Sequence, residues 1–185
     1  MRSQANTTFE TGGTVLAIIS LGSNQASKFG SPQAILGASI ERLRSFSDQP
    51  LLVSSLYQTE PCDCPAGTAD FLNGAVAMQV PHRLNAQQLL ARLFEIEVEF
   101  GRQRGIEPNQ PRSLDLDLIA FGDQESNSPK LILPHPRAHQ RRFVLEPVAE
   151  ICPQFVLPGQ SKSAVVLLSE LGTSEKVRRI ASLEL

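Results

Sequence analysis

At 185 residues, with 41% apolar and 19% charged side chains, the chain has the composition of one globular domain with a single sizeable core, which excludes a disordered protein. A net charge of −2 argues against wholesale binding of nucleic acid or membrane surfaces, whose partners are usually basic. No apolar run is long enough to span a bilayer, and the polar start lacks the charged-then-apolar layout of a signal peptide.

In chain order, residues 1–13 read as a loosely held tail and 14–172 as a single domain. Thr14–Leu21 is apolar and rich in β-branched residues, which predicts a buried strand. Gly22-Ser23-Asn24 breaks it. The polar loop that follows is no P-loop, because Lys28 precedes Gly30 and G-x-x-x-x-G-K-[ST] is absent. Ser31-Pro32 opens a helix, and Leu36, Ile40 and Leu43 form its stripe to about Phe46. Leu51–Gln58 predicts a second strand and Phe71–Val80 a third, joined by an extended loop from Thr59 to about Ala69. Asn73-Gly74 lies inside an unbroken apolar run, so a turn, a bulge or a close ligand approach all fit there.

Asn85 and Gln88 make a capping box for a helix reaching Phe100, with Gly101 as its stop. Glu97 sits at the edge of that helix's packed stripe. A loop over residues 101–111 follows, carrying Arg102 and Arg104. Leu131–Leu133 predicts a brief strand, then Pro134-His135-Pro136 a turn. A helix over Arg142–Ile151 is kinked or divided at Pro147, and a last short helix falls within Gln160–Gly172. Residues 173–185 read as an amphipathic or frayed tail. The order β-α-β-β-α-β, with additional C-terminal helices, predicts an α+β, ferredoxin-like fold. Three cysteines (Cys62, Cys64, Cys152) form no C-x-x-C, so reduced thiols in a cytoplasmic protein are expected.

The chemistry concentrates in Pro111–Gly122. Leu114, Leu116 and Leu118 share one parity, and Asp115 and Asp117 the other. On a strand, that puts the leucines in a core and both carboxylates side by side on the opposite face, about 6.5–7 Å apart at Cα. Such a pair can hold one hard cation or share two. Arg102, Arg104 and Arg112 precede the acids; Lys130, His135, Arg137, Arg141 and Arg142 follow them. Carboxylates for a metal and guanidiniums for the remaining charge are what a polyphosphate with magnesium needs. His135 and His139 share a spacing that suits a metal on a helix, but Pro136 between them argues against one.

With L-G-S-N at Leu21–Asn24, S-S-L-Y-Q-T-E-P at Ser54–Pro61 and D-F-L-N-G-A-V at Asp70–Val76, the sequence resembles the 6-hydroxymethyl-7,8-dihydropterin pyrophosphokinase family of folate biosynthesis. G-R-Q-R at Gly101–Arg104, P-R-S-L-D-L-D-L at Pro111–Leu118 and L-P-H-P-R-A-H-Q-R-R-F-V-L-E-P at Leu133–Pro147 extend the likeness in the family's order. The resemblance implies transfer of a pyrophosphoryl group from ATP to the pterin, with Asp115 and Asp117 holding two magnesium ions and Arg102 and Arg112 stabilising charge. It further implies ATP contacts from Glu97, Arg104, Arg112, Leu118, Lys130, Ile132, His135 and Arg141. Thr59, Phe71, Asn73 and Phe143 would hold the pterin. An arginine-tryptophan pair found in some members is replaced by Pro108 and Asn109, and Cys62 stands where some relatives have a larger apolar residue. A cytoplasmic monomer acting on small molecules is expected, with no nucleic acid or membrane as partner. A magnesium-dependent nucleotidyltransferase fits less well, because Ser23 and Asp115 are far apart in sequence. A ferredoxin-like RNA-binding module would need basic and aromatic residues on its central strands.

Overall fold

The alternation of the first strand decides the layering. In the computed structural model, which describes residues 13–61, 67–102, 110–172 and 175–181, β1 (Thr14–Ser23) directs Ala17, Ile19 and Leu21 to one face of the sheet and Ile18 to the other. On the first face lie α1 (Pro32–Arg44) and α2 (Ala86–Glu99). They bury Ile35, Leu36, Ile40 and Leu43 from the former and Leu89, Leu93 and Ile96 from the latter. Both helices start as their sequences dictate: Ser31 accepts from the Ala34 N–H, and Asn85 and Gln88 form the reciprocal capping box.

The sheet also contains β2 (Leu52–Val53), β3 (Leu56–Thr59), β4 (Phe71–Pro81), β5 (Asp115–Phe121) and a later strand over Val177–Ala181. The spatial order is β5-β1-β4-β3 and then Val177–Ala181, with β2 also on β4 and every pair antiparallel. Its core is the ferredoxin-like α+β arrangement that the element order predicts. A small hairpin of β6 (Ser126–Ser128) and β7 (Leu131–Leu133) follows β5. On the second face, α3 (Arg142–Ile151) and α4 (Ala164–Glu170) cover one end of the sheet through Val144, Val148 and Ala164. The sheet offers Ala75, Ala77 and Ala120 there, small residues that let α3 approach closely. The other end of this face is left to the cleft.

Several elements differ from the sequence-based expectation. Leu51–Gln58 is not one strand: a one-residue register shift on β4 falls between Val53 and Tyr57. At the break the Ser54 hydroxyl accepts from the Ala75 N–H, while the Ser54 N–H donates to the Ala75 carbonyl. A serine hydroxyl thus takes the role of a ladder carbonyl, which is why the bulge falls at Ser54-Ser55. Asn73-Gly74 is regular ladder opposite Gly22 and Leu21, neither turn nor bulge. α1 ends at Arg44, and α3 runs through Pro147 as one helix. Residues 173–185, expected as a tail, contribute β8 (Val177–Ala181) on the edge of β3. β5 carries a bulge of its own, so that Ile119 and Ala120 both face the α3 side while Phe121 returns to the helix side. The chain leaves β5 through Gly122 at φ 52°, where an added Cβ would stand 2.9 Å from Val15 Cγ1; backbone and space both demand glycine. No helix among the described residues is long and apolar enough to cross a membrane.

Glu150 at the end of α3 ties the bulge to β8. It accepts from the Ser55 N–H at 2.9 Å, the Ser55 hydroxyl at 2.8 Å, the Tyr57 hydroxyl at 2.9 Å and Arg179 at 2.9 Å. Burial pushes its carboxyl up, but the Ser55, Tyr57 and Arg179 donors outweigh burial and hold it below the usual range. Burial first, and then the bond to Glu150, push the Tyr57 phenol up. A depressed carboxylate stabilises the fold above its unfolded-state pKa and loses that contribution as pH falls through the folded value. Glu150→Ala is therefore expected to cost about 2 kcal/mol in urea unfolding at pH 7. The gap from the wild type should close below about pH 4; a gap independent of pH would mean packing, not charge, is what was lost.

Candidate active site

Two small residues of β1 make the floor of the site. Gly22 is paired with Asn73 of β4 on one side and Asp115 of β5 on the other; Ser20 is paired with Ala75 and Asp117. A Cβ on Gly22 would lie 3.4 Å from Asn73 Oδ1 and 3.7 Å from Asp115 Cβ, so a larger residue would fill the space between the two. Above this floor is a cleft of about 610 Å³. Thr59, Phe71 and Asn73 line one end, and Arg102, Arg112, Asp115 and Asp117 the other. His135, Arg141 and Phe143, from the segment that enters α3, form a third side.

At the acidic end the two carboxylates stand on the cleft face of β5, as the parity of the strand requires, while Leu116 and Leu118 enter the helix-side core. Arg112 donates to Asp115 Oδ2 at 2.7 Å, and Arg102 contacts the other oxygen. Arg102 also contacts Glu97, which is 1% exposed and accepts from the Leu116 N–H at 2.8 Å. Among the described residues Asp117 has no such hydrogen-bonded partner: burial first, and then the Asp115 charge, push its carboxyl up to about 6 against the pull of Arg141, Arg102 and Arg112. A cation between the acids would offset both the burial and the repulsion. Among the described residues no group of three or more His, Cys, Asp and Glu could hold a metal. Two carboxylates without a third protein ligand match a magnesium ion whose other ligands are water and phosphate. Arg112 Nε is buried and has no hydrogen-bond partner among the described residues, a donor that an anion in the cleft would satisfy.

The other end sets a buried side-chain amide beside aromatic rings. Asn73 is 4% exposed, and its amide donates to Thr59 Oγ1 at 2.8 Å, which fixes its orientation before anything binds. Phe71 lies under the Arg112 guanidinium at 5.6 Å, and Phe143 under that of Arg141 at 5.3 Å. His135 is held neutral: burial first, then Arg141 and Arg137, lower its pKa to about 4. Its Nδ1 accepts from the Arg137 N–H.

Of the residues singled out from the sequence, Arg102, Arg112, Asp115, Asp117, His135, Arg141, Thr59, Phe71, Asn73 and Phe143 meet in this cleft. Glu97 does not line it; it lies beneath, sequestered by Arg102 and the β5 backbone. The Leu118 side chain is 4% exposed in the helix-side core, and Lys130 and Ile132 are exposed on the β6–β7 hairpin side, away from the lining. Arg104, Pro108, Asn109 and Cys62 fall outside the described residues. Sequence reasoning also passed over Asn24, treated as a strand breaker. It donates from its N–H to the Arg112 carbonyl at 3.1 Å, accepts from the Arg112 N–H at 2.8 Å, and donates to the Ala69 carbonyl at 3.2 Å. Ser23 donates to the Ser113 carbonyl at 2.6 Å. The G-S-N that ends β1 therefore stitches the acidic strand's entrance to the loop before β4; a buried polar pair directly after an apolar strand was the available signal.

Known proteins resemble this chain in sequence and in fold. The chain is 40% identical over 118 residues to the 2-amino-4-hydroxy-6-hydroxymethyldihydropteridine pyrophosphokinase of Synechocystis sp., covering 64% of this chain and 58% of that protein. It is 37% identical over 140 residues to the enzyme of the same name from Bacillus subtilis, covering 75% of this chain and 79% of that one. A crystal structure of Plasmodium falciparum HPPK-DHPS A437G/K540E with pterin and p-hydroxybenzoate shares the fold at a TM-score of 0.62 and 12% identity, over 86% of this chain and 44% of that one. The chain thus spans less than two thirds of the cyanobacterial relative and under half of the crystallised protein. Residues 18–153 match the profile of 7,8-dihydro-6-hydroxymethylpterin-pyrophosphokinase (HPPK), and the chain belongs to that family.

Proposed function

We propose that this protein transfers the pyrophosphoryl group of ATP to the hydroxymethyl of 6-hydroxymethyl-7,8-dihydropterin, in folate biosynthesis. One observation carries the reading: a single sheet face holds paired acids among arginines at one end and a buried, pre-oriented amide with aromatics at the other. The pterin hydroxyl oxygen bonds to the β-phosphorus as the bond from that phosphorus to the α–β bridging oxygen breaks. AMP leaves with the bridging oxygen, and the hydroxyl proton is released. Little covalent work falls to the protein in such a transfer, so alignment and charge stabilisation carry the rate.

Asn73 would present its carbonyl and remaining N–H to the edge of the heterocycle, with Thr59 fixing its rotation, while Phe71 and Phe143 hold the ring faces. Arg102, Arg112 and Arg141 would neutralise the triphosphate with forked hydrogen bonds, and neutral His135 can donate one more from Nε2. Contacts from Arg104, Lys130, Ile132 and Leu118 are part of the proposal for the nucleotide, while Glu97, sealed beneath the cleft, would act on it through Arg102. Asp115 and Asp117 would hold two magnesium ions, whose chemistry is to bind phosphate oxygens and offset their charge.

An assay of AMP release from ATP and magnesium should show turnover only when the hydroxymethyl pterin is added; pterin-independent release, or none, would overturn the reading. Asp117→Ala should lower kcat at least about 100-fold at every magnesium concentration, with the circular dichroism spectrum unchanged. Wild-type turnover in that variant would remove Asp117 from the reacting centre. Asn73→Ala should raise the KM for the pterin about tenfold or more and the KM for ATP far less. Equal losses for both substrates would make Asn73 a structural residue.

A further inference from the structure

α3 begins without a cap of its own. Arg141 is its N-cap residue, in extended conformation, and contributes no side-chain hydrogen bond to the first turn. The N-terminus of a ten-residue helix is thereby left with donors that need partners, and with the positive end of the helix dipole. One partner arrives from 33 residues further on: Glu175 Oε2 accepts from the Arg142 N–H at 2.9 Å. The same carboxylate lines the cleft and acts on the Arg141 guanidinium through its charge. Arg141 in turn stands over the ring of Phe143 at 5.3 Å, so the residues on either side of the capped amide are an interlocked pair facing the cleft.

What holds Glu175 there is the strand that follows it. β8 pairs with β3, Val177 opposite Thr59, and Thr59 is the residue that orients the Asn73 amide. Lys176 adds an ion pair to Glu60 at 3.1 Å on the rim. The short segment from Glu175 to Ala181 therefore touches both walls of the aromatic end of the cleft: α3 through a side chain, and β3 through its backbone. This segment lies beyond residues 18–153, the part of the chain that matches the family profile.

We infer that Glu175 is a positioning residue for the proposed pyrophosphoryl transfer: its carboxylate completes the first turn of α3 and thereby sets Phe143 against the pterin, with Arg141 stacked over its ring toward the triphosphate. The inference rests on the proposed reaction for its consequence, and on the hydrogen bond alone for its structural part. An anionic acceptor at a helix N-terminus provides both a partner for an orphan donor and a favourable charge. Glutamine keeps the acceptor and loses the charge; alanine loses both.

Two measurements on the full chain separate these parts. Amide hydrogen exchange followed by NMR should show protection at Arg142 reduced about tenfold in Glu175→Ala and largely retained in Glu175→Gln. Unchanged protection in the alanine variant overturns the cap. Steady-state kinetics should show the pterin KM of Glu175→Ala raised about fivefold to tenfold, with Glu175→Gln recovering most of it. A loss confined to kcat with both KM values unchanged, or a glutamine variant as impaired as the alanine one, overturns the positioning role. Should the wild type release no AMP with the pterin, the proposed reaction fails and takes the positioning role with it, while the exchange measurement still decides the cap.

Discussion

Two carboxylates that repel each other, half withdrawn from water at one end of an edge strand, are the constraint around which the rest of the cleft is arranged. Asp115 is paired with Arg102 and Arg112, and the Asp117 carboxyl is pushed up by burial and by its neighbour's charge. Arg102, Arg112 and Arg141 all answer to this pair. Guanidiniums that would otherwise repel one another are gathered within reach of the same two acids, and the gathering is stable because the acids are there. The arrangement is therefore neutral enough to fold and polar enough to receive a charged ligand.

Holding that arrangement in place is a matter of small residues and strand parity. Ser20 and Gly22 keep the middle of the sheet low, so that Asn73 on one neighbour and Asp115 on the other face the same space. The bulge in β5 lets one strand serve two purposes. Before it, residues alternate between cleft and core; after it, Ile119 and Ala120 both pack under the α3 layer. The division of the second sheet face follows: alanines under helices at one end, polar side chains under open space at the other.

Much of this is legible in the primary sequence because it depends on local periodicity. The alternation through Leu114–Leu118 places both acids on one face without any knowledge of the partner strands. The caps at Ser31 and at Asn85 with Gln88 fix where the two helices begin. What is not legible depends on partners distant in the chain. The Ser54 bulge exists because a hydroxyl meets an amide on β4; β8 is a strand because β3 offers it an edge; Asn24 matters because of where residues 69 and 112 arrive. Glu97 is the sharpest case. Its helical position suggests a carboxylate at the border of a packed stripe, and only the crossing of α2 against β5 explains why it is sealed under Arg102.

The contact of Arg102 with Asp115 also sets an entry threshold for ions. A tethered guanidinium does not diffuse away, and its other partner, Glu97, is anchored to the β5 backbone. A singly charged ion such as sodium offers the acid no more charge than the arginine already does, and it must arrive from solution at an entropic cost that the arginine does not incur. A doubly charged ion offers twice as much, and it can bring phosphate oxygens that give the displaced guanidinium somewhere to go. With the acids holding magnesium as proposed, the cleft would favour divalent ions that arrive together with a polyanion, with no group of three or more such protein ligands among the described residues to select them.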